Sequence, residues 1–407
     1  MPRRSLGATR SRFRAVHAEP GPPTRRPPLE GLLVADFSRV LAGPLASMVL
    51  GDLGAEVIKV ERPEGDDTRA WGPPWAADGT STYFQSVNRN KRSLVLDLRE
   101  DGDRALALRL IRRADVLIEN FRPGAMERFG LGEQATRALN PRLVSCSVTG
   151  FGAGDGAALP GYDLLIQAVG GLMSITGQPD GPPTKVGVAL VDVIAGLFAT
   201  VAILAALAER ERSGLGQRAE VSLMGSLLAA LVNQASGFLG AGAVPERMGN
   251  RHPSIAPYES FDAADGEIVV AVGNDRQFAA LCRELGAAPL ATDERFATNA
   301  ARVEHRGALL EALGPRFAAR SRVALAAALN AAGVPCGPVN DVRDAFAMAA
   351  TLGLGSIVEM AEGVRQVANP ISLDGTPVGY RRAPPRLGAD DGAVRAWLLE
   401  DDGVLGG

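Results

Sequence analysis

A chain of 407 residues, 46% hydrophobic and 22% charged, is long enough for two or three folded units and ordinary in composition for a globular protein. Its formal net charge of −3 offers nucleic acid no attracting field, and three scattered cysteines (Cys146, Cys282, Cys336) with no CxxC argue against a disulfide framework or a zinc site and suit a reducing cytoplasm. With His17, His252 and His305 as its only histidines, the chain has no His-rich metal centre, and acid–base chemistry must lean on carboxylates or on one of those three.

Residues 1–28 hold seven Arg, one acidic residue and much Pro, without the apolar run of a secretory signal; they are Arg-rich and acid-poor like a transit peptide, and read equally as a disordered N-terminal extension or an over-called start. From Leu29 the pattern becomes regular. Leu32–Phe37 reads as a buried strand, residues 43–54 as a helix opening near Pro44, and Glu56–Val60 as the next strand. After a long loop come a strand at Ser93–Leu98, a helix near 102–113 and a strand at Asp115–Glu119. Helices near 124–130 and 133–139 and a strand at Arg142–Val148 follow. Strands alternating with helices predict an α/β fold with a mainly parallel, doubly wound sheet.

Val188–Ala208 is a run of 21 mostly apolar residues with one ionisable group, Asp192. The run is long enough to span a membrane, but it is Ala-rich and carries its charge near one end. A buried helix fits better, with Asp192 as N-cap, Val193–Arg212 as its body and Gly214 near the C-cap. Capping explains a carboxylate there and leaves it free to do chemistry as well. Beyond it, Gln217–Ser222 reads as a short strand and Met224–Leu239 as one helix. After Gly249 the texture changes. A strand at Ile268–Val272, a helix at Gln277–Leu285, an Ala-rich helical stretch over 303–332 and a strand-like Val334–Val339 suggest a smaller α+β unit. Residues 356–383 are strand-like and suited to return to the first unit.

Among candidate sites, GFGAGDG (150–156) follows a strand but lacks the GxGxxG spacing of a dinucleotide loop. Lys59, Arg62, Arg89, Lys91, Arg92, Arg99, Arg122 and Arg128 cluster around successive strand ends, where open α/β sheets bind ligands, and suit a multiply phosphorylated one. Trp71, Trp75, Tyr83 and Tyr162 fall in loops, as pocket aromatics do. No GxSxG nucleophile elbow is present.

These stretches together resemble the family III CoA-transferases (the CaiB/BaiF group). The resemblance is carried by DFSRVLAGP (36–44), GDLGAEVIKVERP (51–63), GDDTRAWGPP (65–74), VNRNKRSLVLDL (87–98) and ADVLIENFRPGAMERFGL (114–131). It continues through GYDLLIQAVGGLMSITG (161–177), GVALVDVIAG (187–196), SGLGQRAEVSL (213–223), GNRHPSIAPYESF (249–261), AVGNDRQF (271–278) and GVPCGPVND (333–341). It implies Asp192 as a nucleophile that attacks an acyl-CoA thioester and passes through an anhydride and an aspartyl-CoA thioester. A carboxylate with a reference pKa near ~3.9 is ionised at neutral pH without a histidine base, and backbone N–H groups at the helix start are the expected oxyanion donors. The same resemblance implies coenzyme A contacts at Val40, Ala42, Arg62, Leu96, Asp97, Leu98, Arg99, Asn120, Phe121 and Arg128. Leu41, Trp71, Tyr83 and Tyr162 fall at the acyl pocket. It further implies a large Rossmann-like domain over 29–222, a linker helix at 223–248, a smaller α+β domain at 249–345 and a returning C-terminal segment at 346–407, in a cytoplasmic, interlocked homodimer. Acyl-CoA and a carboxylic acid are the expected partners, with no prosthetic group, metal, membrane or nucleic acid.

Two departures refine this. Family members that racemise 2-methylacyl-CoA carry a His where this chain has Tyr162, and a phenol with a reference pKa near ~10 is a poor partner for that chemistry. Members that handle formyl and oxalyl groups carry Gln at the position of Leu41. The motifs look most like those of members that move CoA from succinyl-CoA to dicarboxylates such as glutarate. The racemase and a non-catalytic CoA-binding protein are the alternatives. The C-terminal stretch RLGADDGAV departs from the LGxHT of many relatives, without a role evident from sequence.

Overall fold

The computed structural model describes residues 26–400. The basic segment predicted as an extension therefore lies outside the described residues, apart from its last three. Six parallel strands form the central sheet: β1 (Leu33–Asp36), β2 (Glu56–Glu61), β3 (Lys91–Val95), β4 (Val116–Glu119), β5 (Val144–Thr149) and β6 (Arg218–Ser222). Their spatial order is β3-β2-β1-β4-β5-β6, the doubly wound arrangement in which the strand order reverses between β1 and β4. Ligands bind at the carboxyl ends of the strands flanking such a reversal, so the chain leaving β1 and the chain leaving β4 are where a site is expected.

Helices cover both faces, because strands apolar on both sides cannot face water. In chain order they are α1 (Ala42–Asp52), α2 (Thr82–Ser86), α3 (Asp101–Arg113), α4 (Ala125–Arg128), α5 (Glu133–Leu139), α6 (Asp163–Val169), α7 (Leu172–Ile175), α8 (Leu190–Ser213), α9 (Leu223–Ala230) and α10 (Val232–Ala241). One core joins α1 and α8 to the sheet through Ala46, Leu50, Val57, Val116, Val144, Ala195 and Ile203. The core on the other face joins Leu106, Leu110 and Ile111 of α3 to Ile58, Leu94 and Leu117. In α8 the buried residues Val191, Ala195, Ala199 and Ile203 recur every fourth position, a stripe facing the sheet. The helix is long and apolar enough to cross a membrane by length and composition, but that stripe is packed as a core helix packs.

Three expectations are corrected. Asp192 is not the N-cap of α8: the helix begins at Leu190 with Ala189 as cap, and Asp192 stands in its first turn. The helix expected over Met224–Leu239 is two helices, α9 and α10, bent by 80° about Leu231. The segment after residue 356 forms only a short antiparallel hairpin of its own, β10 (Ile357–Glu359) with β11 (Arg365–Val367). Before it, β7 (Tyr258–Ala263), β8 (Gly266–Ala271) and β9 (Cys336–Pro338) form an antiparallel sheet. Helices α11 (Asp275–Glu284), α12 (Asn299–Glu304), α13 (Arg306–Ala318) and α14 (Arg322–Ala331) accompany it around a third core, and α15 (Val342–Thr351) follows.

The end of the chain does return to the first sheet. The Arg381 and Arg382 N–H groups donate to Asn90 Oδ1, and Gly379 N–H donates to the Asp52 carbonyl. The altered LGADD stretch acquires a physical role here. Strand β3 is the sheet edge, with N–H groups that no neighbouring strand can take. Asp390 accepts from Ser93 N–H at 3.0 Å and Asp391 from Val95 N–H at 2.8 Å. Arg395, in the terminal helix α16 (Asp391–Leu399), donates to the Val95 carbonyl at 2.7 Å. Side chains thus close an edge that would otherwise invite pairing with another chain.

Candidate active site

The chain leaving β1 is held from beneath by buried charge. Asp36, fully buried at the strand end, accepts from Lys91 Nζ at 3.0 Å and from Ser38 and Ser47 hydroxyls. Burial alone would raise its carboxyl, but Lys91 and Lys59 outweigh that and hold it down at about 2. Lys59 donates to the Ser38 carbonyl at 2.8 Å and to Asp66 at 2.9 Å. Asp66 in turn accepts from the Val40 N–H at 3.2 Å. Val40 has φ +70°, a left-handed conformation that costs a β-branched residue on the order of 1–3 kcal/mol. The Lys59–Asp66 pair supplies the fixed acceptor that keeps it there. From the β4 side, Asn120 grips residue 39 twice, accepting from its N–H at 2.9 Å and donating to its carbonyl at 2.7 Å. The two strand ends at the reversal are thereby tied together.

This loop leads directly into α1. Among the described residues, no hydrogen bond takes up the N–H groups of Leu41, Ala42 and Gly43, and no side chain caps the helix. Helix α8 crosses close by. A Cβ at Gly196 would lie 2.6 Å from the Ala42 carbonyl oxygen, so only glycine lets the two backbones approach. Asp192, one turn earlier, consequently faces the start of α1 across a cleft of about 630 Å³. Val40, Leu41, Ala42, Asn120, Phe121, Arg128 and Tyr162 line that cleft with it.

Asp192 is half-buried, and among the described residues no hydrogen bond reaches its carboxylate. Burial, and then the charge of Asp163, push it up to about 7. The expectation of a carboxylate fully ionised at neutral pH is therefore corrected: withdrawal from water disfavours the charged form, and no cation offsets it. The expected oxyanion donors at the start of α8 are corrected as well. Asp163 Oδ1 accepts from Val191 N–H at 2.8 Å and from Asp192 N–H at 3.4 Å, so those donors are engaged. Asp163 is the cap that sequence assigned to Asp192, supplied from another helix. The free donors of the cleft are the α1 amides instead.

A second cavity, about 500 Å³, opens beyond β2 and is lined by Arg62, Leu96, Asp97, Leu98, Arg99 and Phe121. The predicted nucleotide contacts are thus brought together here. Trp71 and Tyr83 border neither cavity. They pack edge to face with ring centroids 5.1 Å apart. Burial and then the carboxylates of Asp192, Asp163 and Asp66 push the Tyr83 phenol up to about 12, which sets this aromatic pair in the electrostatic reach of Asp192.

The strand-end cations separate into two groups. Lys59 and Lys91 are fully buried in ion pairs, Arg89 chelates the Asp52 carboxylate and Arg92 pairs with Glu56 and Asp390. These four are framework and leave the predicted ligand set. Arg62 and Arg99 border the second cavity but are paired to Asp67 and Asp97. Arg122 and Arg128 carry no ion pair among the described residues and border the cleft. Neither His252 nor His305 borders it. Sequence reading missed Asp163, Asp66 and Arg39; their signals were the GYD and GDDTR motifs and the Arg beside the apolar VLA.

The model of CoA-transferase family III matches residues 29–391. Succinate–glutarate CoA-transferase of Agrobacterium fabrum is 44% identical over 92% of this chain and 97% of its own length. Acetyl-CoA:oxalate CoA-transferase of Acetobacter aceti is 42% identical over 93% and 97%. The crystal structure of a CAIB/BAIF family protein from Brucella suis superposes with a TM-score of 0.83 at 44% identity, covering 92% of this chain and all of that one. Matched along nine-tenths of its length, the chain is an enzyme of CoA-transferase family III, the CaiB/BaiF group.

Proposed function

We propose that the enzyme moves CoA from succinyl-CoA to a small dicarboxylate, with Asp192 as the covalent carrier. The observation that carries this reading is Asp192 itself: an unpaired carboxylate in a cleft opposite free backbone N–H donors. Its oxygen attacks the thioester carbonyl, forming a mixed anhydride and releasing CoA thiolate. The thiolate attacks the aspartyl carbonyl, leaving an aspartyl-CoA thioester and free succinate. The acceptor carboxylate displaces the thiolate again, forming its own anhydride with Asp192. The thiolate then takes the acceptor's acyl group and regenerates the carboxylate. Each step passes through an oxyanion, for which the unengaged Leu41 and Ala42 amides in the cleft wall are the candidate donors.

The donor and acceptor follow from the motifs and from a relative that handles succinate and glutarate. Leu41 in the first loop argues against oxalate, although a relative of similar identity acts on it. The racemase reading gains nothing from the cleft, which offers Tyr162 and no histidine. Purified enzyme with succinyl-CoA and glutarate is expected to release succinate and glutaryl-CoA in equal amounts, with ping-pong kinetics. Exchange confined to oxalate, or isomerisation of a 2-methylacyl-CoA with no exchange, would replace this reading.

The enzyme is further proposed to act as a homodimer. Leu164 on α6, Leu197, Phe198 and Val201 on α8, Leu228 on α9 and Phe238 and Leu239 on α10 stand 44–82% exposed on neighbouring helices. Large apolar side chains left exposed together on helices that pack against one another point to an interface. Light scattering is expected to give twice the chain mass of 42.4 kDa, and a monomer at micromolar concentration would refute the proposal.

A further inference from the structure

Coenzyme A places its diphosphate between a 3′-phosphoadenosine and a pantetheine arm that ends in the thiol. The two cavities offer corresponding ends: the one beyond β2 for the nucleotide and the one holding Asp192 for the thioester. Only Arg39 and Phe121 belong to the walls of both. The diphosphate of a molecule spanning them must pass this shared wall.

Arg39 is built to meet it. Its Nη1 donates to Asp67 at 3.1 Å, and its guanidinium lies 5.8 Å from the centre of the Phe121 ring. Its Nε is shielded from solvent and has no partner, and no hydrogen bond engages Nη2 among the described residues. The Nε–Nη2 edge is the fork that takes a phosphate through two parallel hydrogen bonds. Asp67 also holds Arg62, which Glu64 pairs from its other side, so the single charge of Asp67 is shared between two guanidinium groups and does not occupy Arg39 alone. The backbone of residue 39 is fixed by Asn120, not by its own side chain. The side chain can therefore be changed without releasing the loop.

We propose that Arg39 is the residue that binds the diphosphate of coenzyme A, with Asp67 aiming its free edge. This rests on the reading of both cavities as one CoA site. It does not depend on Asp192 chemistry or on the identity of the acyl donor.

The test is calorimetric binding of CoA, 3′-dephospho-CoA and pantetheine to wild type, Arg39→Ala and Arg39→Lys, after thermal melts confirm folding. Losing a charge-assisted bidentate contact is expected to weaken CoA and 3′-dephospho-CoA alike, on the order of 10- to 100-fold. Pantetheine affinity is expected to stay unchanged, and Arg39→Lys to recover only part of the loss, since an ammonium lacks the fork. Equal weakening of all three ligands would mean a structural role and overturn the proposal. A loss seen with CoA but not with 3′-dephospho-CoA would move the contact to the 3′-phosphate and overturn it too, as would wild-type affinity in Arg39→Ala. If wild type binds CoA but exchanges nothing with succinyl-CoA, the donor assignment falls while this binding test stands.

Discussion

Asp192→Ala is expected to abolish CoA transfer, a loss on the order of 10⁴-fold or more, while the protein stays folded. The side chain takes part in no hydrogen bond that holds α8, so its removal deprives the cleft of a nucleophile and little else. Intact mass after brief exposure to succinyl-CoA separates the cases. Wild type should gain the mass of CoA less water, released by hydroxylamine, and the variant should gain nothing. Asp192→Asn keeps the shape but not the nucleophile and should behave like alanine. Asp192→Glu keeps the carboxylate but carries it one methylene farther into the cleft. A displacement of about 1 Å costs on the order of 10²-fold when the reacting geometry is fixed by the scaffold. Turnover by Asp192→Ala within tenfold of wild type would remove Asp192 from the mechanism.

Much of this site was legible in the sequence, because the features that carry it are local. Apolar runs bounded by turn residues located all six strands of the parallel sheet to within a few residues, and the alternation with helices gave the doubly wound class. What the sequence could not give is what distant residues do to one another. Asp192 looked like a cap because caps are read from neighbours in the chain. The actual cap, Asp163, lies 29 positions away from the farther amide it binds. Lys59 and Lys91 looked like ligand-binding cations because their acidic partners, Asp66 and Asp36, meet them only through the sheet. The break at Leu231 carries no Gly or Pro, so its backbone left no local mark. The Asp390 and Asp391 side chains gained meaning only when the C-terminal segment was seen lying along the edge of β3.

The clearest consequence of those distant contacts is a pH dependence. In the proposed mechanism attack requires Asp192 ionised, and burial followed by the Asp163 charge raises its pKa to about 7 in the free enzyme. The acidic limb of kcat/KM reports the free enzyme. It should bend near pH 7 rather than near 4, and by pH 5 the rate constant should lie roughly 100-fold below its plateau. Asp163→Asn tests the cause. Asparagine keeps an oxygen to accept from Val191 and Asp192, so the helix stays capped, but the like charge is gone. The limb should move to lower pH, and activity near pH 6 should rise relative to the plateau. A limb unmoved by Asp163→Asn would assign the shift to burial alone, and a limb near pH 4 in wild type would show the carboxylate solvated. Stability should run the opposite way. A carboxyl raised above its unfolded value binds its proton more tightly in the folded state, so its contribution is fully present below about pH 3.8 and is lost as pH rises through about 7. Asp192→Asn, with no charge to bury, should therefore melt above wild type at pH 8 and gain nothing at pH 4. The carboxylate proposed to attack at pH 8 is then one that the fold itself holds at a cost.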